Sequence, residues 1–403
     1  MTVQTPMLIQ LDPRQPASGG GADRAQVLQA VMRDGLWSRP QLVERLGLRS
    51  TTVSRVVGEL VQRRLLLEAS GKKQGRGRPA ATLRANPAVL GASVLHVASR
   101  DVVGVLVDLS GRVLHRDART VGPDADNEAM SGVLAGIASR LRAATPPGME
   151  HAGTAAAVSG VVDLQGGRWL ASSRWPRLCG LDLGAALSPA AAPVRVARQL
   201  EAELQARLLA EPALRSGGTL LLHWGWGIGL AYAVDGTVFN AAGGPFGEIG
   251  HWRFRALAGR RCGCGQEGCL ETGAALWALL PQLRDAWPEL AEDEAELAGQ
   301  LRERDLTTAP ALRQAATLVA QALANLCRLL FPGRVLVSGP FSAQPGFWTQ
   351  FETAFRQEGS IGGLGLPPLV PVSSSVALAI EGAAAPLLTE AVQARLRDVP
   401  PGG

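Results

Sequence analysis

Apolar side chains recur at helical spacing in three consecutive segments, which follow a leader with few regularly spaced apolar residues. Residues 1–21 end in Ala-Ser-Gly-Gly-Gly, which predicts a flexible leader. Gly35 and Gly47 are expected to end the first two helices, and Ser38 can cap the second. A short apolar strand, 65–67, follows the third helix. The apolar positions that define the helices are Val27, Leu28, Val31, Met32, Leu42, Val43, Leu46, Val53, Val56, Val57 and Leu60.

Helix, turn, helix, strand and a Gly/Lys/Arg loop is the order of a winged helix-turn-helix, which we predict over residues 22–86. The third helix would read DNA, because its first turns carry short hydrogen-bonding groups and guanidiniums that suit base edges and phosphates. These residues are Arg49, Ser50, Thr51, Thr52, Ser54 and Arg55. The loop that follows alternates arginine with glycine and suits a narrow minor groove, although a solvated basic hairpin is an alternative. Its basic residues are Lys72, Lys73, Arg76 and Arg78.

Positive charge is concentrated in this predicted module. Residues 22–84 contain 13 Lys and Arg against 5 Asp and Glu, an excess of 8, whereas the whole chain carries a net charge of only +5. Such a compact basic module favours double-stranded DNA as partner through counterion release, and a solvated basic face is the alternative. Because helix-turn-helix proteins usually contact two half-sites, we expect a homodimer or a dimer of dimers.

The rest of the chain, 87–403, alternates strand-like apolar runs with helical segments and predicts an α/β fold. Asp108 to Arg112 has the composition of a tight hairpin turn. No run of 18 apolar residues and no signal-peptide pattern is found, so we expect a cytoplasmic protein without a membrane partner. The elements predicted here are strands over 90–97, 102–109, 113–114, 154–158 and 219–223 and a helix over 200–209.

Three of the five cysteines lie within eight positions, and a histidine precedes them. His251, Cys262, Cys264 and Cys269 supply the four ligands of a closed tetrahedral Cys3His site. Because no coordination position stays open, we predict a structural Zn²⁺ that holds a loop rather than one that activates water. A reduced thiol cluster or a redox site is the alternative.

The segment from Gly247-Glu248-Ile249-Gly250-His251 through Cys-Gly-Cys-Gly-x-x-Gly-Cys-Leu-Glu resembles the signature of the ROK family of repressors, open reading frames and sugar kinases. The glycines of 225–229, the hairpin 108–111 and the Gly-Arg-Pro triplet at 77–79 are also similar to that family. The resemblance extends from Arg24 onward. It implies an actin-like, ribonuclease-H-like (sugar-kinase-like) domain with two lobes, about 87–190 with the C-terminal segment and 191–384, and in its repressors an N-terminal winged helix.

The residues that the family's kinases use for catalysis are replaced in this chain. Their Asn-Asp pair, which contains the aspartate base, corresponds to Arg198 and Gln199, and neither side chain can accept a proton at neutral pH. Trp226 stands where the phosphate loop usually has a small hydroxyl residue, and residues 96–101 lack the glycines of the first phosphate loop. We therefore predict no enzyme activity, with a kinase that has a relocated base as the alternative. His223 is expected to be a core or strand-end histidine.

The sugar-binding positions of the family are partly retained. Glu248, His251 and Glu271 fall on positions that hold sugar hydroxyls, and Arg177 replaces a sugar-binding asparagine. With Arg198 also expected to face the cleft, a sugar or sugar-phosphate effector is the hypothesis. Two alternatives stay open: the two glutamates brace the metal loop, or the cleft binds nothing. The sequence thus indicates a DNA-binding regulator, expected to repress carbohydrate-related genes, whose second domain dimerises and senses an effector.

Overall fold

A computed structural model describes residues 8, 9, 11, 21–69, 81–187, 193–239 and 246–397, with the backbone alone at 33 and 34. The basic loop residues Lys72, Lys73, Arg76 and Arg78 lie outside the described residues, so the wing stays a prediction. The described residues form a helical module at the start of the chain, a first lobe and a second lobe.

The helical module contains three helices and a two-stranded antiparallel sheet. The N–H of Ser38 donates to the Gln41 side chain at 2.8 Å at the start of the second helix. That helix ends at Gly47, whose φ of 66° lies in the left-handed region that favours glycine. The predicted start and end of this helix are therefore confirmed. The elements are α1 (Gly21–Asp34), α2 (Arg39–Leu46), α3 (Ser50–Gln62), β1 (Leu66–Ala69) and β2 (Thr82–Ala85).

The first lobe is built on a five-stranded sheet in the order β10-β6-β3-β4-β5. Strands β3, β4 and β5 are antiparallel, and β6 and β10 join in parallel. Alternate side chains of β3 and β4 pack on α4 at one face and on the last helix of the chain at the other. The elements are β3 (Leu90–Val97), β4 (Asp101–Asp108), β5 (Val113–Thr120), α4 (Asn127–Ala143), β6 (Glu150–Val158), β7 (Val161–Asp163), β8 (Arg168–Ala171), β9 (Leu181–Asp182), α5 (Leu183–Leu187) and β10 (Val194–Arg198).

The second lobe repeats this strand order with the sheet β13-β12-β11-β14-β15. Its first three strands are antiparallel, and β14 and β15 join in parallel. The predicted α/β fold with two lobes is therefore observed. The elements are α6 (Gln199–Ala210), β11 (Gly218–Trp224), β12 (Ile228–Val234), β13 (Thr237–Val238), α7 (Glu271–Ala274), α8 (Leu276–Arg284), α9 (Glu294–Arg302), α10 (Pro310–Leu330), β14 (Arg334–Ser338), α11 (Pro345–Gly359), β15 (Leu369–Pro371) and α12 (Val376–Arg397).

Helix α12 returns from the second lobe to the first. It packs against α6 of the second lobe and against β3 and β6 of the first. Among the described residues it is the one helix long and apolar enough to cross a membrane by length and composition. Half of its most apolar stretch is buried inside the fold, as in a core helix.

The helical module, the first lobe and α12 share one continuous hydrophobic core. Part of the predicted flexible leader belongs to this core, because Leu8, Ile9 and Leu11 are buried. The N–H of Leu8 donates to the carbonyl of Leu109 at 2.9 Å, and its side chain lies against Gly111. The leader prediction does not hold at these three residues, since their apolar side chains are part of the core and that of Leu8 covers the turn between β4 and β5.

Candidate functional site

A large cleft separates the two lobes, with a cavity volume of about 1120 Å³. The first lobe contributes the end of β3, the segment after β8 and the end of β10 to its walls. The second lobe contributes the glycine loop 225–229 between β11 and β12, the start of α9 and the segment before α12. Both lobes therefore contact anything bound in the cleft.

The glycine loop is held by two carboxylates of its own lobe. The N–H of Trp226 donates to Glu294 Oε1 at 2.7 Å, and the N–H of Ile228 donates to Glu271 Oε1 at 2.9 Å. The indole N–H of Trp277 also donates to Glu271 Oε2 at 3.3 Å. A Cβ on Gly225 would overlap the Glu294 carboxylate, so the bare backbone is required for this close approach. Amides that could cradle a phosphate are thus already hydrogen-bonded.

Glu294 forms an ion pair with His223, whose Nε2 lies 3.0 Å from Oε2. Burial works against the charge on both groups, but their mutual attraction outweighs it. The pKa of His223 is raised above its ordinary value, and the pKa of Glu294 is lowered by His223 and by the Trp226 N–H. Nδ1 of His223 lies 3.1 Å from the hydroxyl oxygen of Ser338. The expected core histidine is therefore one half of a charged pair that lines the cleft.

Arg174, which follows β8 in the first lobe, reaches this pair from the opposite wall. Its NH2 lies 3.8 Å from Glu294 Oε1, and its guanidinium carbon lies 4.4 Å from the centre of the Trp226 ring. Sequence reasoning missed both Arg174 and Glu294. No local spacing marks them, since 120 positions separate them in the chain.

Arg198 ends β10 and lines the cleft as expected, but carboxylates surround its guanidinium. Its Nε donates to Glu201 at 3.0 Å, and its NH1 lies 3.7 Å from Glu248 Oε1. Burial and the neighbouring Glu271 raise the pKa of Glu248 to about 7, although Arg198 opposes the shift. Glu248 is therefore a half-buried acceptor in the cleft, and its pairing with Arg198 leaves little of the charge of that guanidinium for an anionic ligand.

Arg177 does not face the cleft, which corrects the sequence-based expectation. Its side chain is 63% exposed and forms an ion pair of 3.6 Å with Asp126 before α4. Its neighbours Pro176 and Leu178 line the cleft instead. Its charge is therefore turned toward solvent and the first-lobe surface.

The predicted metal ligands converge in the second lobe. One donor atom from each of His251, Cys262, Cys264 and Cys269 lies within 4.8 Å of all the others. Cys262 Sγ is 3.6 Å from His251 Nδ1, and Cys264 Sγ is 3.7 Å from Cys269 Sγ. Burial and neighbouring thiols raise the pKa of Cys269 to about 12. Such a cluster could hold a metal ion, whose positive charge would favour the thiolates that burial disfavours.

Helix α3 presents a polar face to solvent at its start. Of its predicted DNA-contacting residues, Thr52 is half-buried and the others are exposed: Arg49, Ser50, Thr51, Ser54 and Arg55. Arg55 already pairs with Glu59 at 2.6 Å and with Asp23 at 3.8 Å. Arg49 immediately precedes the helix and carries no such pair among the described residues. The two arginines therefore differ in how freely they can meet a polyanion.

Comparison with known proteins gives both transcriptional repressors and sugar kinases as relatives. Residues 95–366 match the profile of the ROK family. The DNA-binding transcriptional repressor Mlc of Escherichia coli is 23% identical over 331 residues, which cover 78% of this chain and 80% of that protein. The xylose repressor of Bacillus spizizenii is 23% identical over 317 residues, covering 77% and 80%. A crystal structure of a ROK family transcriptional regulator, described as a homolog of the E. coli MLC protein, matches with a TM-score of 0.68 at 21% identity, over 94% of this chain and 98% of that one.

Proposed function

Because the chain belongs to the ROK family, we propose that it is a DNA-binding transcriptional repressor of carbohydrate-related genes. The observation that carries this proposal is the exposed polar start of α3, which follows α2 after the short turn 47–49. Mlc and the xylose repressor, each matched over four fifths of its length, are repressors by name. Both names support the activity, and the name of the xylose repressor supports the link to sugars.

In this proposal residues 22–86 are a winged helix-turn-helix and residues 87–403 the regulatory domain, with lobes of about 87–190 plus the C-terminal segment and 191–384. Helix α3 enters the major groove, and the basic loop between β1 and β2 follows the phosphates or the minor groove. A homodimer or a dimer of dimers then presents two copies of α3 to two half-sites. The protein works in the cytoplasm, where its DNA is, without a membrane partner.

The regulatory domain is proposed to be inactive as a kinase. Gln199, at the start of α6, lines the cleft where a base would be needed and cannot accept a proton. Glu294 lies against the Gly225 backbone and would repel the phosphates of a nucleotide. Turnover of ATP in the presence of a hexose, measured in a coupled assay, would instead favour the relocated-base alternative.

The cysteine cluster is proposed to bind a structural Zn²⁺. In a tetrahedron with Zn–S bonds of 2.3 Å, two sulfurs lie about 3.8 Å apart, and a sulfur and an imidazole nitrogen about 3.6 Å apart. The observed separations of 3.7 Å and 3.6 Å agree with this geometry. Since His251, Cys262, Cys264 and Cys269 supply four ligands, the ion would brace the loop between β13 and α7 rather than open a position for water.

The cleft is proposed to hold a sugar effector, recognised through Glu248. Its half-buried carboxyl can accept hydrogen bonds from hydroxyls, whereas Glu271 is already hydrogen-bonded to the Ile228 N–H and to Trp277. Because Arg198 is paired with Glu201 and Glu248, we do not expect its guanidinium to bind a phosphate group beside Glu248. Calorimetric titration with neutral and phosphorylated hexoses tests the site, since binding unaffected by Glu248→Ala would contradict it.

DNA binding is tested with the operator that genome-wide footprinting identifies. Fluorescence anisotropy should then show that Arg49→Ala and Thr51→Ala each weaken operator binding by about 1–3 kcal/mol. Arg116→Ala, on the exposed edge strand β5, is the matched control and should bind like the wild type. Equal binding of operator and unrelated DNA by the wild type would contradict the proposal.

A further inference from the structure

Helix α3 is held at the end opposite to its proposed DNA-contacting residues. The carbonyl of Arg63, directly after the helix, accepts a hydrogen bond from Arg395 NH1 at 3.0 Å, and the Arg63 guanidinium donates in return to the Arg395 carbonyl in the last turn of α12. Arg395 also pairs with Glu150 at the start of β6. Each guanidinium thus satisfies a carbonyl at the C-terminal end of the other helix and opposes the negative end of its dipole. Arg395 therefore joins the end of α3 both to α12 and to the first lobe.

The next residue, Arg64, has a backbone conformation that is uncommon outside glycine. Its φ of 61° lies in the left-handed region, which is disfavoured for residues with a Cβ. The Asn86 side chain donates to the Arg64 carbonyl at 2.7 Å, and Arg64 NH1 donates to the carbonyl of Gly148 in the first lobe at 2.9 Å. Backbone strain of this kind persists only where the surrounding contacts determine the conformation. These contacts therefore fix the path on which the chain leaves α3.

The proposed DNA-contacting residues lie at the other end of this helix. A helix of 13 residues is about 20 Å long. Because its C-terminal end is held by α12 and by the first lobe, the direction in which its N-terminal end points is fixed relative to that lobe. The exposed residues Arg49, Ser50 and Thr51 cannot be turned in another direction unless these contacts break.

We propose that Arg64 and Arg395 are positioning residues that make operator recognition depend on the spacing between the two half-sites. The inference rests on the DNA binding and the dimer of the proposed function. Each added base pair moves a half-site by about 3.4 Å along the DNA and turns it by about 35° around the axis. In a dimer joined through its regulatory domains, two helices held in this way cannot both follow such a change, whereas modules on flexible linkers could.

The test measures, by fluorescence anisotropy, binding of the full chain to its operator and to operators with one base pair added or removed between the half-sites. The wild type should lose affinity at least about tenfold for each altered spacing, because base contacts of one half-site are then misplaced. Arg395→Ala should bind all three spacings with nearly equal affinity, because α3 can then follow the half-site. Arg397→Ala removes an exposed arginine from the same turn of α12 and is the matched control, which should keep the wild-type preference.

Arg64→Gly is the second variant, and it also serves if Arg395→Ala does not fold. It removes the contact with Gly148 but tolerates the left-handed backbone, and it should weaken the spacing preference as well. A duplex with a single half-site should bind both variants like the wild type, since neither arginine is proposed to touch DNA.

Variants that bind the single half-site normally and keep the wild-type spacing preference overturn the proposal. A wild type that tolerates the altered spacings overturns it too. A wild type that binds unrelated DNA as tightly as its operator contradicts the proposed function itself, so the two failures are distinguishable.

Discussion

The buried pair of Glu203 and Arg207 on α6 offers a quantitative test of what holds α6 to the segment that leads into α12. Arg207 donates to Glu203 Oε1 through Nε at 3.2 Å and through NH2 at 2.8 Å. The hydroxyl of Ser374 donates to Oε2 at 2.9 Å, and Arg207 also donates to the carbonyl of Ser373. This network ties α6, which starts at the cleft, to the segment that leads into α12.

Replacing Glu203 with alanine leaves the guanidinium of Arg207 buried without its counter-ion. Removing one partner of a buried pair costs about 3–5 kcal/mol of unfolding free energy. At about 1.5 °C per kcal/mol for a domain of about 320 residues, the thermal midpoint should fall by about 4–8 °C. Glu390→Ala is the control, because it removes a pair with Arg195 whose glutamate is 61% exposed and should cost about 0–1 kcal/mol.

Thermal and urea unfolding, followed by circular dichroism, measure both variants against the wild type. A double variant with leucine at Glu203 and Arg207 should recover much of the loss, because no uncompensated charge is then buried. A Glu203→Ala midpoint equal to that of Glu390→Ala would refute the reasoning, since it would mean that Arg207 finds other acceptors at no cost.

Two further predictions concern the metal cluster and the buried histidine. A strong chelator should release about one zinc ion per chain in a colorimetric assay, and the Cys269→Ser variant should contain correspondingly less zinc; both should have a lower thermal midpoint. Cys327→Ser, outside the cluster, is the control and should keep the metal. Full zinc retention by Cys269→Ser would contradict the proposed ligands. Because the pKa of His223 is raised in the folded state, its contribution to the free energy of unfolding is complete below about pH 6.5 and is lost as pH rises through its folded-state pKa. Because the pKa of Glu294 is lowered, its contribution is present above about pH 4.5 and is lost as pH falls through its folded-state pKa. The difference in thermal midpoint between the wild type and Glu294→Gln should therefore be largest between these pH values and shrink as pH rises above them or falls below them. A difference independent of pH would rule out the charged pair.

Local spacing was enough to predict features built from neighbouring residues. The helical pattern and Gly47 defined α2 and its end, and the short spacing of Cys262, Cys264 and Cys269 indicated the cluster. Contacts between distant segments could not be predicted in this way. Glu294 meets the glycine loop only because the fold brings the start of α9 beside it, and Arg177 pairs with Asp126 because its side chain points away from the cleft that its neighbours line.

The burial of Leu8, Ile9 and Leu11 shows a related limit. The leader was expected to be flexible because its apolar residues show no regular period, yet Leu8, Ile9 and Leu11 are buried in the core that includes α1 and the end of β4. The surface that buries them exists only in the folded chain. The short apolar run at 7–11 therefore could not be assigned a partner from its spacing alone.

Because the helical module, the first lobe and α12 share one core, α3 moves together with the first lobe and is not joined to it by a flexible linker. The carbonyl of Arg63, immediately after α3, accepts a hydrogen bond from Arg395 near the end of α12 at 3.0 Å. Since α12 also packs against α6, the orientation of α3 is tied to the first lobe and to α12. A few degrees of rotation of the first lobe against the second would displace α3 by a distance that grows with its separation from the cleft, so a small movement at the cleft becomes a larger one at this helix.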